Sequence, residues 1–332
     1  MNISAQAKLK TADLFKLTAQ AYGGNVGEQY AATPSIAQTL NDKIIEDGVP
    51  FLAMLNTIAV SEITGEKVFM GLSGGVSGRT DTSGSGERVA KSLVDLNAEN
   101  YVLKKTDADV ALKYSVIDAW AKFPDFRERY GRAIRKAISN DRLKVGFVGT
   151  SALATTVAAD LSDVNIGWLE QIRTYNAGAQ YVLGAAGSVT LGGGTFPNLD
   201  SLVYDAIGRI EVPFDKDPDL VVLVGRNVMQ AAKGAYYDAQ GNTPTEKEKI
   251  QNRQIIETYG GLPAYQPPFF DDNSILVTSL SNLSIYWQDS SWRRQQLDNP
   301  QKDQYEDFNT RNEGYVVEQL GKTSLVQGIE YA

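Results

Sequence analysis

Between Gly71 and Gly86 the chain runs GLSGGVSGRTDTSGSG, in which six residues are Gly and four are Ser. Such a stretch carries too little apolar surface to order itself against a core. Its flanks differ. EKVFMGL leads into it from one side. On the other lies ENYVLKKTDADVALKY (99–114), where Val102, Thr106, Ala108, Val110, Leu112 and Tyr114 alternate with the period of a strand. Two extended arms joined by a long flexible tip predict a hairpin that protrudes from the body. A compact domain rarely keeps so long a loop without a use for it.

A phosphate cradle is the first alternative for the tip. A P-loop needs G-x-x-x-x-G-K-[ST] after a buried strand. The nearest register puts Ser73 at the first Gly and Arg79 at the Lys, and no helix pattern follows at once. LGGGTF (Leu191 to Phe196) lacks the third Gly of a dinucleotide fingerprint and the acidic strand end beyond it. Both readings are rejected.

Composition narrows the chemistry further. The chain has 332 residues, with 32 Lys and Arg against 40 Asp and Glu, so 32 − 40 gives −8. It contains no Cys and no His. Thiol nucleophiles, Fe–S clusters, Cys- or His-ligated zinc and every Ser–His–Asp mechanism are therefore excluded. Asp215, Asp217 and Asp219 alternate, but Pro218 interrupts them and no downstream Glu stands at a recognised ligand spacing. They read as a turn before a strand. No catalytic residues, cofactor-binding residues or metal ligands are assigned. The acidic balance argues against a protein that binds nucleic acid over its whole surface. No signal peptide is visible at the start, and apolar runs such as VPFLAML are too short to span a membrane.

Upstream of the hairpin, Ala7, Leu14, Leu17 and Ala21 share a predicted helical face with Thr11 as N-cap. A flexible linker, AYGGNVGEQYAATPS, follows. Downstream, residues 116–144 form the strongest predicted helix, with Pro124 near its start and Phe126, Tyr130, Ala133, Ile134, Ala137 and Ile138 on its apolar stripe. From Lys122 to Lys144 there are eight basic and three acidic residues, a local charge of 8 − 3 = +5. The ordinary reading is a solvated helix face; the sharper one is a surface facing a polyanion. A second amphipathic helix starts at Leu199 with Asn198 as N-cap, and Leu220 to Val224 reads as a buried strand. Further strands are expected at Ser274 to Thr278, at Leu283 to Trp287 and in the tail. Trp287, Trp292, Tyr236 and Tyr237 read as packing or interface residues. This mixture of elements fits an α+β fold.

Several segments resemble one family. They are VSEITGEK, TDTSGSGER, the AWAKFPDF…RAI helix, DPDLVVLVGR, LPAYQPPFF and the long block NLSIYWQDSSWRRQQLDNPQKDQYEDFNTRNEGYVVE. Together they resemble the major capsid proteins of P-two-type tailed phages (peduoviruses), which are similar in fold to the Hong Kong 97-type shell proteins. The resemblance implies an α+β fold with an N-terminal arm, an extended β-hairpin loop, a long spine helix in a peripheral domain, and an axial domain. Residues 1–34 would be an arm trimmed near Tyr30 and Ala31 by the family's prohead protease. Residues 35–60 would be an arm and peripheral segment, 61–114 the extended loop, and 115–197 the peripheral domain with the spine helix. Residues 198–290 would be the axial domain and 291–332 the return to the peripheral domain.

The implied function is a structural one. The chain would self-assemble as pentamers and hexamers into the icosahedral head of the virion. Its partners would be a scaffold, the prohead protease, a portal protein and packaged double-stranded DNA, with no membrane and no cofactor. Assembly would take place in the host cytoplasm. Arg127, Arg132, Arg135 and Lys136 on the basic helix would face the DNA without sequence preference. The alternatives are a soluble enzyme with a Gly-rich phosphate loop and a nucleic-acid-binding module that uses the basic helix.

Overall fold

The computed structural model describes residues 12, 13, 15–20, 25, 27–72, 79, 83, 94–120, 123, 125–184, 189–240 and 258–331. After a short helical stretch within 12–20, β1 (Tyr30–Ala31) leads to α1 (Pro34–Glu46) and β2 (Asn56–Val60). A hairpin of β3 (Thr64–Leu72) and β4 (Val94–Val102) follows, and the chain returns as β5 (Lys104–Asp107) and β6 (Val110–Lys113). Next come α2 (Tyr114–Trp120), α3 (Phe126–Val148), α4 (Trp168–Thr174), β7 (Tyr181–Leu183), β8 (Thr190–Leu191), α5 (Leu199–Ile207), β9 (Leu220–Val224) and α6 (Arg226–Gln240). The last part is all strand: β10 (Thr258–Tyr259), β11 (Leu262–Tyr265), β12 (Ile275–Ser279), β13 (Leu283–Gln288), β14 (Arg293–Asn299), β15 (Gln304–Val317), β16 (Ser324–Gln327) and β17 (Glu330–Tyr331).

The first sheet is organised by β15. Its N-terminal half pairs with β14 and its C-terminal half with β13, so these two strands run end to end along one edge. On the other edge β6 and β5 do the same, with Asp107 opposite Thr310 and Lys113 opposite Gln304. β2 and β1 extend the sheet beyond β13 and β14. The second sheet has the order β10-β11-β9-β12-β16-β7. Its strand β9, LVVLV, is buried at every position. Val221 and Leu223 face a core that also holds Trp168, Ile285 and Tyr315, whereas Leu220, Val222 and Val224 face Leu202, Val203 and Met229. A strand covered on both faces reads as an unbroken apolar run, which is why it was legible. One core thus joins the two sheets, because Ile285 and Tyr315 belong to the first and Val221 and Leu276 to the second.

Several expectations need correcting. The 116–144 helix is two helices, α2 and α3, with Pro124 between them. A residue before proline is pushed out of the helical region, so a break there follows from the sequence. Ala133 and Ala137 are exposed, not part of the apolar stripe. The contact stripe of α3 is the i, i+4 series Phe126, Tyr130, Ile134 and Ile138, and each alanine stands one residue, about 100°, to its side. At the N-terminus Leu17 is exposed, while Phe15 and Ala19 are buried. Phe15 meets Tyr305 edge-on at 5.0 Å, a slot that suits an aromatic ring. Ala7, Thr11, Leu14 and Ala21 lie outside the described residues, as does nearly all of the hairpin tip. The alternating stretch ending at Tyr114 is not one arm: the hairpin stops at Val102, Leu103 is buried, and 104–113 joins β15.

The expected cap of the Leu199 helix and the expected turn before the Leu220 strand are present. Asn198 caps α5, its side chain accepting from Ser201 N–H at 2.9 Å. The Asp217–Asp219 turn is closed by Lys322, whose Nζ stands 2.8 and 2.7 Å from the two carboxylates. Among the described residues no group of three Asp or Glu is placed to hold a metal ion, and no helix is long and apolar enough to cross a membrane.

At the middle of β15, Glu313 is fully buried and bridges Arg142 of α3 and Arg311. Arg142 Nε donates to Glu313 Oε1 at 2.7 Å, and its Nη1 donates to Asn41 of α1 at 2.7 Å. Asn165 donates to the Glu313 carbonyl at 3.0 Å. Burial alone would raise the Glu313 pKa, but the guanidiniums of Arg142 and Arg311 outweigh it and hold the carboxyl below its ordinary value. A depressed folded-state pKa contributes stability above the unfolded value, and that stability is lost as pH falls through the folded one. Removing this charge leaves two arginines buried together. Glu313→Gln is therefore expected to lower the unfolding free energy by about 3–5 kcal/mol in urea denaturation of the unassembled chain. A loss below about 1 kcal/mol would show that the cluster does not tie α1, α3 and β15 together.

Candidate assembly surface

The hairpin stands on a built root. Its register runs without a break from Thr64 opposite Val102 to Leu72 opposite Val94, a reach of about 30 Å at strand rise. Lys67 Nζ donates to the Val317 carbonyl at 2.8 Å, tying β3 to the end of β15. Tyr101 of β4 meets Tyr286 edge-on at 5.0 Å, and the Tyr286 hydroxyl donates to Glu318 at 3.0 Å. Beyond this root β3 and β4 pair only with each other. A two-stranded ribbon is marginal in water on its own and gains order from a surface laid against it.

The basic helix is less free than its sequence implies. Arg135 is half-buried and its Nε donates to Asp47 at 2.6 Å. Arg132 is exposed and stands 3.7 Å from the same carboxylate. Lys136 is exposed and makes no ion pair among the described residues. The Arg127 side chain lies outside them. Ala133 and Ala137 share the solvent face with Lys136, so the surface around that cation is low.

Tyr30 and Ala31 form β1, an edge strand paired with Arg294 and Arg293 of β14. Tyr30 is buried, and Phe15 and Ala19 upstream of it also pack on the body. The described residues Phe15, Ala19 and Tyr30 before Pro34 therefore pack on the body.

Sequence reasoning missed a set of exposed apolar side chains. Tyr204 and Val212, beside the second sheet, are 74% and 83% exposed, and Val157 in the α3–α4 loop is 85% exposed. Trp120 and Phe123, tilted against each other at 5.4 Å, are both exposed at the α2–α3 junction. They are scattered over several faces and do not form one contiguous patch around a single site. Periodicity could not flag them: Val157, Val212 and Phe123 lie outside helices and strands, and Tyr204 and Trp120 stand at exposed positions of short helices.

The model of the family described as phage major capsid protein, P2 family, matches residues 10–329. The chain belongs to that family. A capsid protein of Escherichia phage P2 is 34% identical over 322 residues, covering 92% of this chain and 89% of the relative. The major capsid protein of Serratia phage KSP20 is 29% identical over 321 residues, covering 92% and 91%. Among solved structures, the satellite phage P4 procapsid that includes a size determination protein matches with a TM-score of 0.77 at 32% identity, covering 97% of this chain and 98% of that one. The capsid of cyanophage A-1(L) matches at 15% identity with a TM-score of 0.53, covering 85% and 93%, a likeness of fold alone.

Membership in the P2 family fixes the coarse function. This is a major capsid protein of the Hong Kong 97-type fold, and its place is the virion shell, built from many copies. The family is structural, and neither the site nor the comparisons favour a phosphate-binding enzyme.

Proposed function

We propose that the shell of this protein, built from pentamers and hexamers, encloses packaged double-stranded DNA and that the solvent face of α3 looks onto it. In this reading the first sheet with α3 is the peripheral region, and the second sheet with α5 and α6 is the axial one. A scaffold, a prohead protease and a portal protein take part in assembly. The observation that carries the reading is the basic face of α3 in a chain whose net charge is −8. Lys136 and Arg132 are its exposed members, and Arg127 continues the same helix; Arg135 contributes least, because Asp47 holds it. Contacts of this kind reach phosphates and carry no sequence information.

The N-terminal segment is trimmed near Tyr30–Ala31 in the same reading. Proteases take extended backbone, and a two-residue edge strand is the kind of element that opens at little cost. Intact-mass measurement on mature particles is expected to give a chain beginning near Ala31. A mass that begins at Met1 would remove the trimming from the account.

Reversing Arg132 and Lys136 together to Glu is expected to leave empty shells intact and to reduce DNA content per particle or the stability of filled particles. Single reversals should matter little, since each contact is screened by mobile counterions. The measurement is shell yield by microscopy beside DNA content. Normal filling and normal stability of filled particles in the double variant would show that this face is only solvated.

A further inference from the structure

Two stretches upstream of Pro34 rest on the same pair of strands. The first is the helical stretch within 12–20. Its Phe15 is 4% exposed and meets Tyr305 of β15 edge-on at 5.0 Å. Tyr305 in turn meets Tyr114 edge-on at 5.4 Å, and the Tyr114 hydroxyl donates to Asp298 of β14. Asp298 stands opposite Tyr305 in the sheet, so the wall of the Phe15 slot is braced from both strands. The second stretch is β1. Tyr30 and Ala31 lie opposite Arg294 and Arg293, and the Ala32 N–H donates to the Trp292 carbonyl at 2.9 Å. Arg294 is opposite Asn309, four residues along β15 from Tyr305. At strand rise the two attachments are about 13 Å apart.

The attachments also share packing. Ala19, one turn beyond Phe15, is 1% exposed and belongs to one buried cluster with Tyr30, Ala32 and Trp292. Taken alone, β1 is weak, since two residues at a sheet edge open at little cost. A protease takes its substrate as extended backbone on both sides of the bond it cuts. Tyr30–Ala31 must therefore leave β14 together with residues upstream of it. Phe15 and Ala19 hold that upstream side down, and a buried aromatic ring is a strong anchor for so short a segment.

We propose that Phe15, in its slot beside Tyr305, is a latch that keeps the Tyr30–Ala31 bond on β14 and closed to proteolysis in the unassembled chain. Cleavage at that bond waits on the release of Phe15. The use of the latch rests on the trimming proposed above. Its existence does not, because an unrelated protease that cuts after tyrosine reports it equally well.

The test is limited proteolysis of the unassembled full-length chain with chymotrypsin, following by mass the fragment that begins at Ala31. Tyr22→Ser is carried in the parent and in every variant, so that no cut at the tyrosine between the two attachments severs the latch first. When opening and closing are fast against cutting, the rate follows the population of the open form. Phe15→Ala is expected to raise the rate at Tyr30–Ala31 by about tenfold or more. Ala19→Glu, which puts a charge into the buried cluster, should raise it by a similar factor. Leu17→Ala, at an exposed position of the same stretch, should change it by less than about threefold. Cutting after Tyr315, buried in β15, reports unfolding of the body and should stay as slow as in the parent. An unchanged rate at Tyr30–Ala31 in Phe15→Ala would overturn the proposal. So would an equal rise at Tyr315, which would show that Phe15 supports the whole fold and not one strand. A mature chain that begins at Met1, beside a faster cut in Phe15→Ala, would remove the trimming and leave the latch.

Discussion

The structure depends on keeping three charged side chains buried at the middle of one strand. Arg142, Glu313 and Arg311 meet where α1, α3 and β15 converge, and none of the three has appreciable contact with water. Such a cluster is weak evidence for stability, since well-packed apolar residues would often serve as well. Its geometry is what sets it apart. A guanidinium that must reach one carboxylate and one Asn41 oxygen fixes the rotation of α3 and its distance from α1 and from the sheet. The stripe of Phe126, Tyr130, Ile134 and Ile138 alone would allow the helix to slide or roll.

From that fixed point the remaining parts follow. β15 carries strands on both of its edges, so the hairpin root, the N-terminal edge strand and the helix layer are all referred to one element. The core shared by the two sheets couples the second sheet to the same frame. Bare Gly146 allows α3 to press on the Trp168 ring, where a Cβ would stand 2.2 Å away. A body held this firmly can present the same surface at every position of a shell, while β3 and β4 pair only with each other past their root.

Much of this was legible in the sequence, and what was not has identifiable causes. β9 and α5 were readable because their burial is uniform along one strand or one helical face, and Asn198 marks the helix start. In the block from Asn282 to Glu318 the strands themselves were readable, but the central place of β15 was not: it mixes buried Glu313, Arg311, Asp307 and Asn309 with apolar residues, so no periodicity marks it as a central strand. The ion cluster itself is invisible in sequence, since Arg142 and Glu313 lie 171 residues apart. The face read through Leu17 is exposed and Phe15 is buried instead, because the slot beside Tyr305 is decided by tertiary shape. The basic helix was correctly seen as basic. That Asp47 would engage Arg135 required the packing of α1.

The central claim is that a rigid body carries a hairpin whose order comes from other copies of the chain. Hydrogen exchange, followed peptide by peptide in the unassembled chain and in closed shells, tests it most directly. Amides of β15 should exchange slowly in both states. Those of β3 and β4 beyond Lys67 should exchange fast in the unassembled chain and become protected in shells. Equal exchange of β3 and β4 in the two states would contradict the account.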